Sequence, residues 1–183
     1  MGNEWDDLLD CDPENETRDA RYLRDVWEMA SAHSPDPNTQ VASALVTWAG
    51  GIVLAAWNEL PPALCGKGYP RTPETKNYCF EHAERRVLYK SVANKLSVGG
   101  LQMYGTWIGC ADCARAIIAF NISRVVTFRR LVERTPPKWH DSVREGLAMM
   151  RDAGITVIGW EGNINSSSTI RFNGEVLGSE ALV

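Results

Sequence analysis

A His-x-Glu at His82, Ala83 and Glu84, followed 28 residues after the histidine by a Cys-x-x-Cys at Cys110 and Cys113, limits this chain more than any other feature. One imidazole and two thiolates suit zinc, which prefers tetrahedral nitrogen and sulfur coordination, and three protein donors leave a fourth position open for water. A fold that uses them must bring two distant segments to one point. Cys110 precedes a helical pattern and Cys113 stands one turn into it, so both sulfurs can share that point. The positive end of a helix there favours thiolate over thiol. His82 and Glu84 lie about 200° apart around an ideal helix, so they do not easily ligate one ion together. Glu84 is left to move protons beside the metal. Two other readings stay open. Buried structural cysteines account for a Cys-x-x-Cys by itself, and a structural zinc would want a fourth protein ligand, for which Cys79 is the nearest candidate.

The surrounding pattern is that of one α/β domain. Residues 1–16 are acidic and read as a loose leader. From Thr17, apolar Tyr22, Val26, Met29 and Ala30 recur at helical spacing and predict a helix to about His33, stopped by Pro35 and Pro37. Gln40–Trp48 and Ile52–Trp57, joined by Ala49-Gly50-Gly51, predict a β-hairpin. Residues 58–77, rich in proline and glycine and including Pro73, read as a long functional loop. Helices over Glu81–Leu96, Ala111–Phe120 and Asp141–Ala153 alternate with strands over Leu101–Ile108, Arg124–Phe128 and Ile155–Trp160, the order a parallel sheet requires. The domain therefore spans residues 17–160. A C-terminal extension, 161–183, contains a possible small hairpin around Asn173-Gly174. Trp48, Trp57 and Trp107 read as core, and His33 and His140 as structural.

Three stretches, Ser34 to Val41 (SPDPNTQV), His82 to Glu84 (HAE) and Gly109 to Ala119 (GCADCARAIIA), resemble the deoxycytidylate deaminase family of the cytidine deaminase-like superfamily. The resemblance implies a three-layer α/β/α fold with a mixed five-stranded sheet that begins as an antiparallel hairpin. It also implies Zn2+ on His82, Cys110 and Cys113, and Glu84 as the proton shuttle in hydrolytic deamination of a cytosine nucleotide, dCMP to dUMP and ammonia. It places Asn58 and Thr39 at the sugar and the Ala83 backbone amide at the pyrimidine carbonyl, and it implies a homo-oligomer. The chain also departs from the family. Gly109 replaces a proline, which reads as added freedom in that loop. Glu59-Leu60-Pro61-Pro62 replaces a Gly-containing turn, which argues against dCTP and dTTP control. Arg85 and Arg86 stand where an apolar residue and an asparagine are usual; they could serve substrate, or Arg85 could simply pair with Glu81.

A nucleoside monophosphate needs cations, and Lys67, Arg71, Lys76 and Arg115 are candidates alongside those two arginines. The net charge of −4 weighs against a polymeric nucleic acid. Five cysteines without disulfide spacing fit a reducing cytoplasm, and no apolar run reaches membrane-spanning length. Two alternatives remain: deamination of another base, nucleoside or nucleotide, and a non-catalytic zinc module that binds nucleotides.

Overall fold

The computed structural model describes residues 3–72 and 75–183. Pro73, counted above in the long loop, lies outside the described residues, as do residues 1 and 2 of the leader. In chain order the elements are α1 (Glu16–His33), β1 (Ala42–Val46), β2 (Ile52–Trp57), α2 (Lys76–Cys79), α3 (Ala83–Ala93), β3 (Gln102–Gly105), α4 (Ala111–Ala119), β4 (Arg124–Phe128), α5 (Arg129–Glu133), α6 (His140–Asp152), β5 (Thr156–Trp160), β6 (Ile170–Phe172) and β7 (Glu175–Leu177). Strands β1 to β5 form one sheet in the order β2-β1-β3-β4-β5. β1 runs antiparallel to β2 and β3, whereas β3, β4 and β5 are parallel. The mixed sheet with its initial hairpin is the one the resemblance implied. Among the described residues no helix is long and apolar enough to cross a membrane.

Strand alternation divides the core into two layers. Successive side chains of a strand point to opposite faces, so Leu45, Met103, Val125 and Val157 face α3, α4 and α6, packing with Val87, Leu88, Ile117 and Leu147. Their neighbours Ala44, Val46, Tyr104, Val126 and Ile158 face α1, where Tyr22, Leu23, Val26 and Trp27 meet them. The same layer takes in the C-terminal segment through Ile164, Ile170, Phe172, Leu177 and Leu182. A sheet buried on both faces needs apolar residues at nearly every position, and all five residues of β1 and of β4 are buried. Buried Asp19 of α1 pairs with Arg124 of β4 at 2.6 Å and accepts a hydrogen bond from the Tyr104 hydroxyl at 2.7 Å. That pairing fixes α1 against the sheet. Burial, with the hydrogen bond and charge of Asp19, pushes the Tyr104 phenol up.

Two expectations fail here. The acidic leader is docked: Trp5 and Leu9 are buried, Asp10 forms a parallel bridge to Ile158, and Asp12 lies 2.7 Å from Arg124. Its two large apolar side chains, four positions apart, carry more weight than its charge. Trp48 is not core. The strand ends at Val46, and Trp48 sits in the turn, 53% exposed, with its indole N–H donating to the Gly100 carbonyl at 3.0 Å. By contrast, His33 stacks on Trp57, and His140 hydrogen-bonds the Thr135 carbonyl.

Because Trp5 is a fully buried indole, Trp5→Ala should cost about 3–5 kcal/mol of stability. Urea unfolding measures this; a cost under about 0.5 kcal/mol, the scale of a surface substitution, would show the leader to be free.

Candidate active site

His82 is the N-cap residue of α3 and Cys110 the N-cap residue of α4. The two helices start side by side, α4 leaving from the carboxyl end of β3, where open α/β sheets place ligands. Cys113 follows one turn into α4. The Nδ1 of His82 lies 3.8 Å from Cys110 Sγ and 3.4 Å from Cys113 Sγ, and the sulfurs are 3.9 Å apart. Tetrahedral zinc with bonds of about 2.3 Å to sulfur and 2.0 Å to nitrogen would hold its sulfurs about 3.8 Å apart and each sulfur about 3.5 Å from the nitrogen. The donor triangle therefore fits zinc without rearrangement. Cys79 is not part of it: among the described residues the cluster holds three donors, His82, Cys110 and Cys113. A closed four-ligand structural site is thus not what the side chains form.

The donors of the cluster and Glu84 shift one another's protonation, and zinc binding would have to overcome the shifts at Cys113 and His82. A hydrogen bond with Cys113, and another with His82, bring the Cys110 thiol down to about 3 against the cost of burial. That same bond with Cys110, together with burial, pushes Cys113 well up. Burial works to lower His82, but the hydrogen bond with Cys110 and the charge of Glu84 outweigh it and raise the imidazole. Glu84, in the first turn of α3, is 4% exposed, and its carboxyl oxygen lies 3.7 Å from Cys113 Sγ. Burial raises its carboxyl above the usual range, partly offset by His82. A carboxyl held in this way takes up a proton more readily than an exposed one.

Glu84 and His82 open into a pocket with an interior volume of about 80 Å³. Ala83, Asn58, Thr39 and Lys76 line it. Ala83 is the first residue of α3, so its N–H has no intrahelical acceptor. Asn58 is the hub of one wall. Its Oδ1 accepts from the Val41 N–H at 2.8 Å and the Ser34 hydroxyl at 2.6 Å, and its Nδ2 donates to Asp36 at 3.0 Å and the Thr39 carbonyl at 2.8 Å. Two acceptor sites and two donors are all a carboxamide has. Asn58 is therefore fully used in holding residues 34–41, which the reading of it as a sugar contact did not foresee.

The other cations divide. Lys76 reaches the pocket but grips buried Asp36 at 2.7 Å. Arg85 pairs with Glu81 at 2.6 Å and with Asp112 at 3.4 Å, while Arg86 pairs with Glu59 and Arg115 with Asp112. Arg71 lies over the Tyr69 ring in an adjoining cavity, and Lys67 is exposed in a turn. None of Lys67, Arg71, Arg85, Arg86 or Arg115 lines the pocket beside Glu84. Sequence reasoning missed Lys138, Trp139 and Asn173, which do line it. Trp107 lines it too, so it is pocket wall as well as core packing. The loop reading of Gly109 also changes. It is buried, and a Cβ there would overlap that of Cys113 and come within 3.4 Å of the Glu84 carboxyl carbon. Close packing, more than freedom of the loop, is what requires glycine.

Residues 16–129 match the family model of the cytidine and deoxycytidylate deaminase zinc-binding region. The deoxycytidylate deaminase of Homo sapiens is 29% identical over 143 residues, covering 74% of this chain and 75% of that protein. A "Probable deoxycytidylate deaminase" of Drosophila melanogaster is 28% identical over 134 residues, and the match spans 65% of its length, just under two thirds. In fold, the chain resembles the crystal structure of dCMP deaminase from the cyanophage S-TIM5 in complex with dCMP and dUMP. That likeness has a TM-score of 0.59 at 20% identity, over 82% of this chain and 99% of that one.

Two outcomes are expected of the metal site. Purified protein should carry about one zinc per chain, measured by elemental analysis, and Cys113→Ser should lose most of it. Gly109→Ala, by displacing Cys113, should lower zinc content and melting temperature together; full occupancy in that variant would show that the space is not needed.

Proposed function

The chain belongs to the cytidine and deoxycytidylate deaminase zinc-binding family, and from that premise we propose that it converts dCMP to dUMP and ammonia, with Glu84 as the proton carrier. The observation that carries this reading is a buried carboxyl beside a triangle of three zinc donors and facing a pocket lined by polar and aromatic side chains. A closed structural site or a pure binding module has no use for such a group. Zinc held by His82, Cys110 and Cys113 supplies Lewis acidity that makes water a nucleophile at neutral pH.

The protein's own groups do the rest. Glu84 takes the proton released as water attacks C4 and delivers it to N3 of the ring. It then carries a proton to the departing amine, so that ammonia leaves and the ring becomes uracil. Its burial raises the carboxyl and so favours its protonated form more than in an exposed glutamate. The Ala83 amide, free at the start of α3, is suited to donate to the pyrimidine carbonyl. The wall ordered by Asn58, which includes Thr39, flanks the sugar, and Trp107 and Trp139 supply flat apolar surface against which a base can lie. The acidic net charge favours a small nucleotide over a polymer. Five free cysteines fit a reducing cytoplasm. Exposed Tyr89, Val92 and Leu96, on and just after α3, support assembly into a homo-oligomer.

Glu84→Gln keeps the shape of the side chain and removes its proton transfer. It should retain zinc and lose about 10²–10⁴-fold in kcat on dCMP, followed by ammonia release. A variant as active as the parent would end the assignment. Screening dCMP against deoxycytidine and purine nucleotides tests the substrate itself.

A further inference from the structure

The family match stops at residue 129, yet the pocket does not. Two segments beyond it close one side: the turn Pro137–Trp139 before α6, and the tip of the β6–β7 hairpin. The hairpin is built to keep that tip in place. Asn173 and Gly174 have φ of +54° and +86°, the left-handed pair of a two-residue type I′ turn, for which Asn-Gly is the favoured sequence. The base of the hairpin is buried through Ile170, Phe172 and Leu177. Its edge is bonded to the pocket wall, with the Gln40 N–H donating to the Arg171 carbonyl at 2.8 Å and the Gly174 N–H to the Asn38 carbonyl at 2.8 Å. At the tip, the Asn173 N–H donates to the Thr39 hydroxyl at 3.3 Å, and its side-chain Nδ2 donates to the Arg134 carbonyl at 3.2 Å. Asn173 thus joins the 36–40 wall to the segment that carries Lys138.

Lys138 is the cation missing from the account above. It is exposed and lines both the pocket and the adjoining cavity, and among the described residues no carboxylate lies within 4.0 Å of it. Lys76, the other lysine of the pocket, is already neutralised by Asp36. The metal end is therefore served by the motif residues, and Lys138 puts positive charge on a rim shared with the side chains of Asn38 and Asn173, whose carboxamides each keep one N–H beyond those bonded to Thr39 and Arg134.

We propose that the tip of the C-terminal hairpin is part of the substrate site: Asn173 and Lys138 together form the subsite for the phosphate of the nucleotide, with Asn173 also positioning the Lys138 segment. This inference rests on the nucleotide reading of the pocket. A phosphate placed there meets the Lys138 ammonium beside two neutral carboxamides, which makes the subsite sensitive to any charge added next to it.

The test compares Asn173→Asp, Asn173→Gly and Lys138→Met in the full-length zinc-loaded protein. Both replacements at 173 tolerate the left-handed backbone, and thermal melting establishes that each variant is folded. Asn173→Asp puts a negative charge beside the phosphate, so KM for dCMP should rise at least tenfold, with kcat falling by less. The rise should shrink as salt is added, as screening requires. Asn173→Gly should raise KM by a smaller factor, and Lys138→Met by at least fivefold. If Asn173→Asp and Asn173→Gly behave alike, or both leave KM within twofold, the hairpin is only structural and the inference falls while the deaminase reading stands. If the parent protein does not turn over dCMP, the function reading falls instead. Calorimetric titration with dUMP then decides the subsite: weaker binding to Asn173→Asp than to the parent supports it, and equal binding overturns it.

Discussion

Everything in this molecule is arranged around the convergence of two helix starts, those of α3 and α4, at the carboxyl edge of β3. Each start presents unpaired backbone N–H groups and partial positive charge. Together they create a spot where the Cys110 thiolate is favoured and the Glu84 carboxyl is buried. The donor separations of 3.4, 3.8 and 3.9 Å follow from that convergence. Glu84 is brought there by its place in the first turn of α3, and Gly109 allows α4 to approach without a side chain in the way.

Much of this was legible in the sequence, because the determining patterns are local. Near-continuous apolar runs in β3, β4 and β5 and helical spacing in α1, α3, α4 and α6 mark the buried elements. Three donors at two helix starts mark a candidate metal site. Boundaries were less legible. Trp48 looked like core because an aromatic residue at the end of a β-branched run usually is, but the glycine turn begins before it and leaves the ring outside. The docking of the leader was masked by its charge, since two buried side chains among many acids leave only a weak signal.

The pocket wall could not be read from letters, because it is made by contacts between segments far apart in the chain. Asn58 was visible as a polar residue at a strand end, but not its four partners, all of which lie in residues 34–41. Lys138 differs from other surface lysines only in what surrounds it. Asn173-Gly174 was readable as a turn, but the place of that turn against residues 38–40 depends on how the C-terminal segment packs along α1. The cations proposed from sequence were mostly claimed by nearby acids, as Arg85 is by Glu81 and Arg86 by Glu59. A surface rich in both signs makes such pairing common.

The N-terminal segment also settles what becomes of one side of the sheet. β5 is the last strand in the order, and an outermost strand offers a row of unsatisfied backbone groups to any other chain. Here Asp10 receives and returns those bonds, its N–H donating to Val157 and its carbonyl accepting from Gly159. Residues 5–12 therefore occupy part of that exposed edge and leave fewer of its backbone groups open to another sheet.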